Sequence, residues 1–344
     1  MINIELEPYV EELVRQDAFS GTVLIEQNSE PIFKQAYGFA HYGFQIPNQI
    51  NTKYNIGSCT KMFTALAIGQ LAQEGKIKLS DPVSAYLADY PREIADKVTL
   101  HHLLTHTSGM AESILNEKTF HCNKDKVRTT ADWLALVLDT SLLFEPSTSW
   151  SYSNAGFVVL GAVIEEVTGK SYFDYVRESI WLPSGMNHTN LTPLDEDVPN
   201  RASGYMAREE DEPIDLPRKN NIPYSLIRGN AHGGAWSTVE DMLRFANALN
   251  NNTLLDKVHT DILWAPKVVT GWTEGDEAVR NAYGFFVTEI DGHRIIGHGG
   301  ITAGFNARFQ MYSDLDVIVV ILANYSFPAA HQLGQTIREL LLKN

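Results

Sequence analysis

A serine and a lysine three residues apart, Ser58 and Lys61, lie where a small permissive residue, Gly57, leads into a run of helical spacing. Phe63, Leu66, Ala67 and Leu71 recur at that spacing within residues 61–74, which predicts a helix with Ser58 at or near its N-terminus. Unpaired backbone N–H groups and the positive end of the helix dipole gather at such an end, so a serine alkoxide or a substrate oxyanion is stabilised there. Lys61 shares the face of Ser58 one turn on, and an amine kept from full solvation can take the serine proton. The pair is suited to nucleophilic acyl transfer. Read alone, Ser58 is also an ordinary helix cap.

Two further stretches supply partners. Trp150-Ser151-Tyr152-Ser153-Asn154 arrives 94 residues after the serine, just ahead of a second helical run. Ile296-Gly297-His298-Gly299-Gly300-Ile301 arrives 240 residues after it, where one predicted strand ends and the next begins. Ser-x-x-Lys, then Tyr-x-Asn, then a basic residue followed by glycine is an ordered triple, far more specific than any one of its parts. Tyr152 as a packing tyrosine and Asn154 as a plain cap are credible singly, but less so together.

The elements that must position these residues read as follows. Residues 3–16 carry Ile4, Val10, Leu13 and Val14 on one stripe, a first amphipathic helix. Residues 21–26 and 31–37 form two strands joined through Asn28-Ser29-Glu30. The middle of the chain is helical wherever its period is clear, best at 130–138 and 156–168, the latter with Ser153 or Asn154 as cap. Residues 202–221 turn polar and charged, an exposed loop. Helix returns at 238–249. Strands 283–290 and 293–298 flank Asp291-Gly292, strands 305–312 and 317–323 flank Ser313-Asp314-Leu315-Asp316, and 330–342 closes the chain as a helix. The expected fold is α/β in the α+β sense: an antiparallel β-sheet built from both termini, flanked by N- and C-terminal helices, with an inserted mainly helical lobe. The sheet lobe takes 1–80 and 227–344, the helical lobe 81–226, and the site falls in the cleft between them.

At 344 residues, 44% hydrophobic and 20% charged, the chain is of enzyme size and globular composition, so disordered and fibrous classes drop out. A formal net charge of −15 argues against nucleic acid or anionic membrane as partner. The longest apolar run, 317–323, is far short of a membrane span. No basic and apolar leader opens the sequence, so a cytoplasmic location is expected, or a secreted or periplasmic one if a leader has been trimmed. Cys59 and Cys122 make no disulfide framework and are expected as free thiols. His101, His102 and His106 invite a metal reading but lack an acidic companion, and neither metal nor cofactor is expected.

The triple resembles that of the class C β-lactamase and penicillin-binding protein-like serine hydrolases, which include family VIII esterases and D-aminopeptidases. Supporting stretches run from Leu103-Leu104-Thr105-His106-Thr107-Ser108-Gly109 through Leu182-Pro183-Ser184-Gly185-Met186 to Gly234-Ala235-Trp236-Ser237. The resemblance implies a β-lactamase/transpeptidase-like fold and attack by Ser58 to give an acyl-enzyme. It implies that Lys61 and Tyr152 share the proton work and that Asn154 orients Lys61 and substrate. It places the oxyanion hole at the backbone N–H groups of Ser58 and Ile301, with Gly299 and Gly300 letting that strand approach. His298 departs from the lysine usual in β-lactamases and transpeptidases, and a mostly neutral imidazole favours substrates without a carboxylate. Glu145-Pro146-Ser147 replaces a common Pro-Gly before the tyrosine motif. The expected function is hydrolysis of small esters or amides through a serine acyl-enzyme. The alternatives are a β-lactamase, D-Ala-D-Ala carboxypeptidase or D-aminopeptidase and, in another class, a penicillin-binding sensor or scaffold without turnover. The partner is a small-molecule ester, amide or β-lactam, and the oligomeric state stays open.

Overall fold

The turn carrying Ser58 is clamped between a sheet and a helical layer, and the sheet brings the two ends of the chain together. The computed structural model describes residues 2–111, 124–138, 141–209, 213 and 216–343. Among these, eight strands make one antiparallel sheet in the spatial order Glu30–Tyr37, Gly21–Gln27, Val317–Ala323, Phe305–Tyr312, His293–Thr302, Phe286–Ile290, Glu277–Asn281 and Val268–Glu274. Gly21 pairs with Ala323 and Gln27 with Val317, so strands nearly 300 residues apart are neighbours.

Side-chain alternation divides that sheet's apolar residues between two layers. Val23, Ile25, Val319 and Ile321 pack with Leu6, Val10 and Leu13 of the helix Ile2–Arg15 and with Leu333 and Ile337 of the helix Ala329–Leu342. Leu24, Val320, Leu322 and Phe309 face the other way, onto Met62, Phe63, Leu66 and Phe245. A strand covered on both faces has no polar side to keep, which is why 317–323 reads as an unbroken apolar run.

The helix Thr60–Gln73 is buried nearly all round, and Gly69, inside it, lies close under Leu255. It is therefore a central core helix rather than a one-striped surface helix. It packs on the helix Asn154–Thr168, which Ser153 caps by accepting from Gly156 N and which ends at Gly169 in the left-handed region. Helix Val239–Asn250 is capped by Thr238, which accepts from Asp241 N. Among the described residues no helix is long and apolar enough to cross a membrane.

One expectation needs correction, and two features lay outside the sequence pattern. His298 does not sit between two strands: His293–Thr302 is one strand, paired through Gly299 and Gly300 to Arg308 and Ala307, and the chain turns only at Gly304. Gly300 does serve the expected close approach, since a Cβ on it would stand 2.0 Å from the Ile56 carbonyl oxygen, whereas one on Gly299 would meet nothing nearer than 3.8 Å. The hairpin Val268–Glu274 and Glu277–Asn281 was not visible in the pattern, because a register break between Val269 and Thr273 interrupts its alternation. The charged loop after Ala202 is anchored inward, where Asp17 takes Arg208 Nε at 2.7 Å, Arg218 Nε at 2.9 Å and the Tyr325 hydroxyl at 2.7 Å. Cys122 and residues 112–121, 123, 139 and 140 lie outside the described residues.

Gly300→Ala should push the strand off the Ile56-Gly57 turn. We expect a loss of roughly 1–3 kcal/mol in urea denaturation and a disproportionate fall in any acyl-transfer activity. A variant equal to wild type in both would show that the contact is not required.

Candidate active site

The Ser58 turn is built by bonds that leave its side chain free to face a recess. Gly57, at φ +51°, donates its N–H to Asn55 Oδ1 at 2.9 Å, and its carbonyl accepts from Thr60 Oγ1 at 2.7 Å and Gly234 N at 3.2 Å. Thr60 Oγ1 accepts in turn from Ala235 N at 3.0 Å. Ser58 lies in the 3₁₀ turn Gly57–Cys59 that runs into the helix. Cys59, next to it, points into the core and its Sγ donates to the His298 carbonyl at 3.3 Å. Burial pushes that thiol up to about 12, so it stays protonated and unsuited to attack.

Lys61 is fully buried. Its Nζ donates to Ser58 Oγ at 3.4 Å, to Asn154 Oδ1 at 2.6 Å and to the His232 carbonyl. The first distance is at the long end of the hydrogen-bonding range. Because Ser153 takes the capping position, the side chain of Asn154, the next residue, is available to Lys61.

Tyr152 stands beside this group, with Lys61 Nζ 4.9 Å from its ring centroid. His106 stacks on it at 4.4 Å and fixes the chain on both sides, accepting Ser153 N on Nδ1 at 3.1 Å and Ser151 N on its carbonyl at 3.0 Å. Among the described residues Trp272, His298 and Phe286 also lie near it, at 5.8, 6.4 and 6.5 Å. His298 is 6% exposed, and its Nδ1–H donates to the Gly299 carbonyl at 2.5 Å. Burial, then the Lys61 charge, holds His298 down to about 3, so it is a neutral imidazole with Nε2 as acceptor. Gly57 and Ile301 meet backbone to backbone: a Cβ on Gly57 would stand 2.9 Å from Ile301 N. Asn306 donates to the Gly300 carbonyl at 2.9 Å and so fixes the peptide before Ile301.

The structure thus joins Ser58, Lys61 and Asn154 by hydrogen bonds, sets Tyr152 against Lys61, and reaches His298 and Ile301 through ring and backbone contacts. His106 and His232 were not foreseen in these positions. His232 opens a second His-Gly-Gly run, His232-Gly233-Gly234, which was the available signal. Its ring lies 4.4 Å from Trp133, its Nδ1 has no hydrogen-bond partner among the described residues, and burial and Lys61 hold it well below the usual histidine range. The other candidate metal ligands have local partners: His101 Nδ1 meets the Tyr283 hydroxyl at 2.7 Å, and His102 accepts Thr99 N and meets Ser147 Oγ.

Ser58 opens onto a recess of about 520 Å³ whose walls include Trp133, Leu194, Met206, Tyr224, Trp236 and Ile301. Among the described lining residues there is no carboxylate, and the one charged side chain, Arg228, is held by the Leu191 carbonyl at 2.7 Å and stacked 3.5 Å from the Phe173 ring. Such a recess suits an uncharged, apolar group.

The profile of the Beta-lactamase family matches residues 6–342. Penicillin-binding protein 4* of Bacillus subtilis (strain 168) is 29% identical over 334 residues, covering 93% of this chain and 71% of that protein. The crystal structure of a penicillin binding protein from Bacillus halodurans aligns with a TM-score of 0.84 at 31% identity, over 96% of this chain and 98% of that one. The D-amino acid amidase from Ochrobactrum anthropi SV3, complexed with L-phenylalanine amide, aligns at 0.85 over 100% and 99% of the two chains; at 24% identity this is a likeness of fold.

The neutral histidines make stability depend on pH. The unfolded chain binds protons on histidine below about pH 6.5, whereas folded His298 resists until about 3. Stability is therefore complete above about pH 6.5 and falls with acidification through that window, by about 1.4 kcal/mol per pH unit for each histidine so held. Urea denaturation from about pH 7 to about pH 4.5 should show this slope, with His298→Gln reducing it by one group's share. A slope unchanged in that variant would mean that His298 is not held neutral.

Proposed function

The chain belongs to the Beta-lactamase family, and from that membership we propose that it is a serine hydrolase of small, uncharged esters or amides, with Ser58 as nucleophile. The observation that carries this reading is the buried Lys61 ammonium held between Ser58 Oγ and Asn154 Oδ1. Ser58 Oγ attacks the acyl carbon, its proton passes into the Lys61 and Tyr152 pair, and the bond to the leaving oxygen or nitrogen breaks as that atom receives a proton. The N–H groups of Ser58 and Ile301 receive the developing oxyanion, for which the glycine contacts at 57 and 300 are the support. Water, activated by Tyr152, then releases the acid and restores the serine. Asn154 orients Lys61 and the substrate.

The division into a sheet lobe, 1–80 with 227–344, and a helical lobe, 81–226, belongs to the same reading. Ser58, Lys61 and the His298 strand come from the first, Tyr152 and Asn154 from the second, and catalysis takes place between them. Preference for an uncharged substrate rests on His298. A neutral imidazole accepts a hydrogen bond from an amide or hydroxyl but cannot pair with a carboxylate as a lysine does. An α-ammonium group likewise meets no carboxylate among the described lining residues.

Ser58→Ala should lower turnover of p-nitrophenyl acetate by on the order of 10⁴ to 10⁶, and a variant that keeps its rate ends the assignment. His298→Lys should move preference toward acids: nitrocefin, which carries a carboxylate, should gain in kcat/KM by about tenfold or more relative to p-nitrophenyl acetate. If the ratio stays fixed, His298 does not set charge preference.

A further inference from the structure

The route of the proton restricts where the departing half of the substrate can lie. In acylation the bond from Ser58 Oγ to the acyl carbon forms, the bond to the leaving oxygen breaks, and the serine proton is returned to that oxygen. On the reading above the donor is the Tyr152 and Lys61 pair, so the leaving atom must come to the Tyr152 side. Whatever it carries then meets the surfaces around Tyr152, not the recess walled by Trp133, Tyr224 and Ile301. Among the described residues, none of the rings around Tyr152 lines that recess.

Those surroundings include one large aromatic face that the fold leaves open. Trp272 is 47% exposed although its ring lies 5.8 Å from Tyr152, 4.8 Å from Trp150 at 83°, and 5.4 Å from Phe286. The hairpin is shaped to hold it there. Its register breaks between Val269 and Thr273, Gly271 takes φ +80°, and Trp272 N donates to Thr270 Oγ1 at 3.0 Å, a bulge that re-aims the indole. The strand end is anchored, because Glu274 pairs with Arg308 and Arg338. A bulged, anchored strand presenting a half-open indole beside the acid that protonates the leaving group is a binding face for a flat apolar moiety.

We propose that Trp272 is a specificity-determining residue that receives an aromatic leaving group, so that aryl esters are preferred over alkyl esters of the same acid. This rests on the serine hydrolase reading. Phenyl butanoate and 2,2,2-trifluoroethyl butanoate have weakly basic leaving groups and share one acyl-enzyme, so the ratio of their kcat/KM values reports on acylation and the leaving group alone. Trp272→Ala should lower the phenyl to trifluoroethyl ratio by roughly tenfold or more, and Trp272→Phe should restore most of it. Tyr224→Ala, on the acyl side, should move both esters in parallel. An unchanged ratio in Trp272→Ala, or an equal ratio change in Tyr224→Ala, overturns the assignment. If the ratio is unchanged while Ser58→Ala abolishes turnover, only the role of Trp272 falls. If Ser58→Ala retains turnover, the serine hydrolase reading falls with it.

Discussion

A lysine ammonium with no exposed surface is the constraint to which the rest of the site answers. Taking an ammonium out of water costs several kcal/mol, even after the protein relaxes, unless dipoles replace the lost solvent. Here the Asn154 amide oxygen and the His232 carbonyl are among the groups that do so, and Ser58 Oγ stands at the long edge of reach. Each is delivered by a different part of the chain. The cost is met by long-range structure, which is why the helix Thr60–Gln73 has to be central.

The same cation accounts for the chemistry of its neighbours. After burial, its charge lowers the proton affinity of His106, His232 and His298. Three imidazoles around one ammonium would be intolerable if charged, so they stay neutral and act through geometry. His106 braces the backbone on either side of Tyr152, His232 lends a carbonyl, and His298 lends its ring and its strand. Gly57 and Gly300 let that strand lie against the serine turn, so the close approach and the buried charge are two aspects of one packing problem.

Much of the fold was legible because burial writes itself into local pattern. Residues 305–312 and 317–323 announce themselves by composition, and Asp291-Gly292 marks its turn through two consecutive positive φ values. Ser58 and Lys61 stand together because helical spacing is a local property. Other features depend on partners far away in the chain and leave no local trace. Gly299-Gly300 reads as a strand end, yet the strand continues, since what it accommodates is Ile56 from another element. Arg208 and Arg218 read as solvated loop charges, and nothing near them in the sequence points to Asp17. Trp272 was invisible for a similar reason: the bulge that aims it also breaks the alternation by which its strand would have been found.

On the proposed reading, charge selection operates at two ranges with the same sign. Around a chain of net charge −15 the long-range field disfavours anionic solutes, most strongly at low ionic strength. Inside, the buried ammonium is directed to Ser58, Asn154 and His232, the guanidinium of Arg228 is engaged by a carbonyl and a ring, and His298 is neutral. On that reading a substrate carboxylate is disfavoured in solution and meets, among the described lining residues, only the guanidinium of Arg228, already engaged by a carbonyl and a ring. An uncharged acyl group pays neither penalty. It exchanges water for Trp133, Leu194 and Ile301, and that gain scales with the apolar area covered. A lysine placed at position 298, beside a buried ammonium, would draw a counter-charge into the cleft. A neutral His298 and a charge-poor recess are thus consistent with each other.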